Sequence, residues 1–165
     1  MRLLRFHHLA AAFACGASIA SASAAGNIEY GFVNPERFTD LGIEAVDRTK
    51  ALRTFEEHFE KMADRLPDGQ VLRLEFLDID LAGSLDMSTK RGGTLVRMLN
   101  GGRDGPQIKL RFSLRANGTL LKSGDVELVN PKYLDNRRPY YLGSSELPHE
   151  RRMLDDWFAK TILAP

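Results

Sequence analysis

Cysteine is almost absent: Cys15 is the only one in 165 residues. It falls in an N-terminal stretch laid out as a secretory signal. Arg2 and Arg5 form a positive start, Leu9 to Ala20 a short apolar run, and Ala22-Ser23-Ala24 a small-x-small cleavage site. The run is too short for a membrane span, which needs about 20 apolar residues. Cleavage after Ala24 leaves 141 of the 165 residues and removes Cys15. Disulfides, zinc–thiolate sites and cysteine nucleophiles are then excluded. Were Cys15 kept instead, a lipid-anchored protein would result. No later segment is long and apolar enough to span a membrane.

Histidine is scarce too. Beyond the leader only His58 and His149 remain, so no H-E-x-x-H or H-x-x-x-H pair can form. There is no G-x-S-x-G elbow, no G-x-x-x-x-G-K-[ST] and no G-x-G-x-x-G. Gly92-Gly93, Gly101-Gly102 and Gly105 therefore read as flexible loop. No cofactor is implied. Excess charge of either sign is also missing. The chain has 23 Lys and Arg against 22 Asp and Glu, and loses two arginines with the leader. That balance gives no general attraction to nucleic acid or anionic lipid.

What is present reads as one α+β domain over residues 25–165, after a signal at 1–24. The expected fold is a mainly antiparallel sheet of four to five strands with two helices packed on one face. Asn27 to Val33 alternates as a first strand, and Asn34-Pro35 ends it. Leu52, Phe55, Phe59, Met62, Ala63 and Leu66 recur at helical spacing, predicting a helix over 46–66 that stops at Pro67-Asp68-Gly69. His58 flanks this stripe as a boundary residue.

Gln70 to Leu81 reads as a strand whose apolar phase switches from Leu72, Leu74 and Phe76 to Leu77, Ile79 and Leu81. A period-2 pattern changes face only at a bulge or bend, so one is expected near Phe76-Leu77. Residues 82–106 are rich in Gly and charge, with a short edge strand over Thr94 to Leu99. Ile108 to Arg115 and Thr119 to Val129 flank Asn117-Gly118, the strongest short hairpin signal. An irregular segment over 130–147 precedes a helix from Pro148 to Leu163, with Met153, Leu154, Trp157, Phe158 and Ile162 as its apolar stripe.

Two groups of residues are candidates for chemistry or binding. Asp78 and Asp80 open like a calcium loop, but Ala82 and Thr89 stand where oxygen ligands are needed, so no metal site is assigned. The same pair fits the carboxylate separation of acid/base catalysis, as almost any i, i+2 pair on a strand does. The structural alternative is that they end a strand and bond nearby amides or an arginine. Arg48, on the line of the first helix's apolar stripe, either snorkels to water or pairs with Asp40, Asp78 or Asp80. Arg137, Arg138, Tyr140 and Tyr141 combine the residue types of binding hot spots in one loop, with Arg151 and Arg152 nearby.

The run Phe32-Val33-Asn34-Pro35-Glu36-Arg37-Phe38-Thr39-Asp40 and the run Leu77-Asp78-Ile79-Asp80-Leu81-Ala82-Gly83 together resemble a family of exported bacterial proteins, domain of unknown function 3016. Ser123-Gly124 and Met153-Leu154-Asp155-Asp156-Trp157-Phe158 extend the likeness over nearly all of the mature chain. The resemblance implies export from a Gram-negative-type cell. It supplies no activity, ligand or catalytic residue.

The expectation is a non-enzymatic periplasmic envelope accessory or binding protein, partnered by an envelope protein. A second reading is a small periplasmic hydrolase or metal-assisted enzyme using Asp78 and Asp80, with Arg48 or His149. A third, a lipid-anchored partner of a transport complex, requires Cys15.

Overall fold

The computed structural model describes residues 25–88, 93–135 and 146–164. The expected leader at 1–24, and Arg137, Arg138, Tyr140 and Tyr141, lie outside the described residues. The chain runs β1 (Asn27–Phe32), α1 (Ala45–Ala63), β2 (Gln70–Asp80), β3 (Ser84–Ser88), β4 (Thr94–Met98), β5 (Gln107–Ala116), β6 (Thr119–Val129) and α2 (Pro148–Trp157). A π-helical turn over Phe158–Ile162 continues α2.

Four strands make one sheet in the order β1-β2-β5-β6. The sheet is mainly antiparallel, as expected, but it is mixed. β1 pairs parallel to β2, while β2–β5 and β5–β6 are antiparallel. The connection through α1 is the reason: parallel neighbours need a crossover long enough for a helix, and β1-α1-β2 supplies one. β3 and β4 pair only with each other, in a separate two-stranded hairpin.

Strand alternation sorts the faces. Leu72, Leu74 and Phe76 of β2 and Ile108, Leu110, Phe112 and Leu114 of β5 are all buried. Phe55 and Phe59 of α1 lie on Phe76, with ring centroids 6.3 and 5.2 Å away. Trp157 of α2 meets Phe112 edge-on at 5.4 Å. Both helices thus cover the same side of the sheet. The other side is wet and carries a charge ladder in which Arg111 bonds Asp125 and also faces Glu75. Each such exposed pair adds at most about 1 kcal/mol.

The phase switch in β2 is a bulge. Phe76 pairs with Leu110 and Asp78 with Lys109, leaving Leu77 as the extra residue. Ile79 therefore returns to the core opposite Ile108. Asn117 (φ 48°) and Gly118 (φ 82°) both take the left-handed conformation that a two-residue type I′ turn requires. A second bulge, at Leu121, turns Lys122 inward. Its Nζ donates to the carbonyls of Thr161 (3.1 Å) and Ala164 (2.7 Å), a cation at the negative end of the last helix.

Candidate functional site

After β1 the backbone turns at Asn34 (φ 54°) and the 3-10 turn Pro35–Arg37, then rejoins the edge of β2 further along, still parallel to it. The Asp40 amide donates to Ile79 O (3.0 Å), and the Leu81 amide donates to Asp40 O (3.2 Å). This parallel bridge sets Thr39 and Asp40 beside Asp78 and Asp80.

Each acid there has its own task. Both oxygens of Asp78 are taken by Thr39, whose amide donates to Oδ1 (2.8 Å) and whose hydroxyl donates to Oδ2 (2.9 Å). Asp40 receives a two-pronged contact from Arg97 of β4, at 2.8 and 3.0 Å. The same guanidinium donates to the carbonyls of Ala82 and Gly83, both at 3.3 Å. Arg97 thereby fastens the β3–β4 hairpin to the end of β2.

Gly83, where the chain enters that hairpin, has φ +90°. A Cβ there would lie 2.5 Å from Met98 O, so any other residue would force the backbone to shift. The Ala82 amide donates to Oε1 of Glu150 (2.6 Å), in the first turn of α2. Glu150 is only 2% exposed. Burial pushes its carboxyl above the ordinary range, and the Ala82 hydrogen bond holds part of that rise back.

Asp80 is different. It is half-buried, and no hydrogen bond or ion pair among the described residues reaches its carboxylate. Burial raises its pKa, as do the neighbouring charges of Asp40 and Asp78, while Arg97 opposes the rise. Arg48 joins none of these acids: its Nη1 donates to Ile43 O at 2.8 Å. His149 sits apart from them in its bonding, with its ring edge-on to Tyr133 at 4.7 Å. Burial lowers its pKa. The Tyr133 hydroxyl donates to Asp104 (2.9 Å) and accepts from the Gly101 amide (3.2 Å), tying loop to loop.

Beside this network an open cleft of about 610 Å³ lies between the N-terminal end of α1 and one face of the β3–β4 hairpin. Its apolar lining comes from Leu41, Ile43, Ala51, Leu81, Leu85, Leu95 and Leu147. Leu41, Ala51 and Leu81 are buried, whereas Ile43 is 48%, Leu85 38% and Leu95 45% exposed. The hairpin register explains which hairpin residues face the cleft: Leu85 lies opposite Arg97, and Met87 opposite Leu95, so these four share a side. Among the described residues, no group of three His, Cys, Asp or Glu side chains is placed to hold a metal ion. No described helix is long and apolar enough to cross a membrane.

The family described as protein of unknown function (DUF3016) matches residues 26–160. The chain belongs to the DUF3016 family. No curated protein and no solved structure matches it. In this DUF3016 chain the two runs around Thr39-Asp40 and Asp78-to-Gly83 are neighbours in space, one on each side of the parallel bridge. Arg97 and Glu150, which complete their bonding, were not legible as partners. They lie 57 and 68 residues from Asp40 and Ala82, the partners that place them here.

Proposed function

We infer that this protein is an exported, non-catalytic binding module of the cell envelope, and that the cleft beside the hairpin is where it engages a partner. One observation carries the reading. Three acids of the network beside the cleft are occupied in holding the fold together: Asp78 by Thr39, Asp40 by Arg97 and Glu150 by the Ala82 amide. Beside them lies a concave surface whose aliphatic rim, at Ile43, Leu85 and Leu95, is left in water, the mark of an interaction site. Export to the periplasm rests on the signal-like layout of residues 1–24.

A second reading has one feature in its favour. Asp80, half-buried with a raised pKa and with no hydrogen bond to its carboxylate among the described residues, has the character of a proton donor. It does not line the cleft, and Asp78, the other half of the acid/base pair, is committed to Thr39.

A photo-crosslinking residue placed at Leu95, in cells that make the protein, is expected to give a discrete adduct. The same residue at Leu120, on the far edge strand, should give none. Equal adducts at both positions, or none at either, would remove the cleft from the account. Intact mass of the recovered protein tests export: a chain beginning near Ala25 is expected, and an uncleaved chain still beginning at Met1 would contradict it.

A further inference from the structure

We propose that the occupant of the cleft is a cationic amphipathic segment of a partner protein, with aliphatic side chains in the cleft and Lys or Arg at its acidic end. The inference rests on the reading of the cleft as a binding site and adds the chemistry of what binds. Among the described residues every apolar side chain lining the cleft is aliphatic. No ring is available for stacking a sugar or a base, or for caging a quaternary cation, which are the tasks aromatic linings perform. Leu, Ile and Val side chains are what such walls pack against best.

The charges select the sign. Glu44, Asp47 and Glu146 line the cleft against Lys50 and Arg97. Arg97 is neutralised by Asp40, and Lys50 pairs with Glu146 at 2.7 Å. Glu44 and Asp47 remain without an ion pair among the described residues, two carboxylates against the single guanidinium of Arg48 held on Ile43 O. They cap α1 reciprocally through backbone amides, and both are exposed. An anionic partner would meet these two carboxylates, and a cationic one would be drawn to them. The apolar surface also continues past the cleft, to Met87 on the hairpin and Val46 on α1, both more than half exposed. That extent suits a protein segment better than a single small molecule.

Calorimetry on residues 25–165 with three probes decides the matter: a synthetic amphipathic helix of Leu and Lys, its twin with Glu for Lys, and a neutral-headed single-chain detergent below its micelle concentration. The basic helix is expected to bind saturably and the acidic twin at least about tenfold more weakly. The paired change Glu44→Gln and Asp47→Asn keeps side-chain acceptors for the cap, and should weaken the basic helix about fivefold to tenfold and flatten its salt dependence. Leu85→Ser with Leu95→Ser, at positions exposed enough to spare the fold, should abolish binding while the circular dichroism melt stays intact. Equal binding of both helices overturns the proposed charge selection. Leu85- and Leu95-dependent binding of the detergent alone leaves the cleft as a site and overturns the protein occupant. Binding that ignores the Leu85 and Leu95 changes, or none at all, overturns the cleft itself.

Discussion

Replacing Arg97 with Met tests how the hairpin is held. The substitution keeps the length of the aliphatic stem and removes the guanidinium, with its two contacts to Asp40 and two to the Ala82 and Gly83 carbonyls. A fully exposed ion pair contributes about 0.2–1 kcal/mol, while breaking a buried one costs about 3–5 kcal/mol. The side chains of Arg97 and Asp40 are 26% and 18% exposed, which places this pair between those limits. Its loss also leaves Asp40 beside the charges of Asp78 and Asp80 with no cation to offset them. The expected cost is therefore about 2–3 kcal/mol. Asp40→Asn removes the charge from the other side, so the double variant should recover about 1–2 kcal/mol relative to the sum of the singles. Urea unfolding can be followed by Trp157, the only tryptophan, packed on Phe112. Limited proteolysis reads the hairpin directly, and cleavage there should rise in Arg97→Met. A cost below about 0.5 kcal/mol with no coupling would refute the claim that this pair fastens the hairpin.

Further predictions concern the core and its titration. His58 is buried between α1 and α2, with Nδ1 accepting from Arg151 Nε at 3.4 Å and Nε2 3.5 Å from Asp155. Burial lowers its pKa below the ordinary 6.5, Arg151 and Lys61 lower it further, and Asp155 opposes them. The unfolded chain therefore takes the proton first. The contribution of His58 is complete above pH 6.5 and is lost as pH falls from there through the folded-state value. Within that window wild type should lose up to about 1.4 kcal/mol per pH unit more than His58→Gln, and parallel curves would refute it. Gly83→Ala should cost about 2–4 kcal/mol, because a Cβ meets Met98 O at a φ of +90°. A melting temperature equal to wild type would contradict that geometry. Trp157→Ala should cost about 3–5 kcal/mol by circular dichroism melting, and a near-zero change would displace α2 from the core.

Much of the fold could be read from residue patterns because it is set by local signals. The phase switch at Phe76-Leu77 announced the bulge, Asn117-Gly118 the hairpin, and the stripes over Phe55–Met62 and Met153–Ile162 the buried faces of both helices. The parallel pairing of β1 with β2 has its own signal in the chain order: strand, helix, strand in succession is the βαβ order. Ser84–Ser88 also alternates, with Leu85 and Met87 on one side, but its partner strand lies outside the main sheet. His58 stands three residues after Phe55 and four before Met62, on the stripe itself and not at its margin, and it is 4% exposed. Arg97 and Glu150 had no local signal. A charged residue on a strand or in a first helical turn reads as solvated unless its distant partner is known, and that partner is supplied by tertiary packing alone. Asp78 follows the structural alternative, a strand-end residue whose carboxylate accepts from a backbone amide, that of Thr39.

The most direct measurement is amide chemical-shift mapping of labelled residues 25–165 titrated with the Leu and Lys helix. The account predicts that the shifts gather at Leu41 to Ala51, Leu81 to Leu85, Leu95 to Arg97 and Leu147, the residues around the cleft. Shifts clustered instead on the charged outer face at Arg73, Arg111 and Ser123, or no shifts at all, would contradict it.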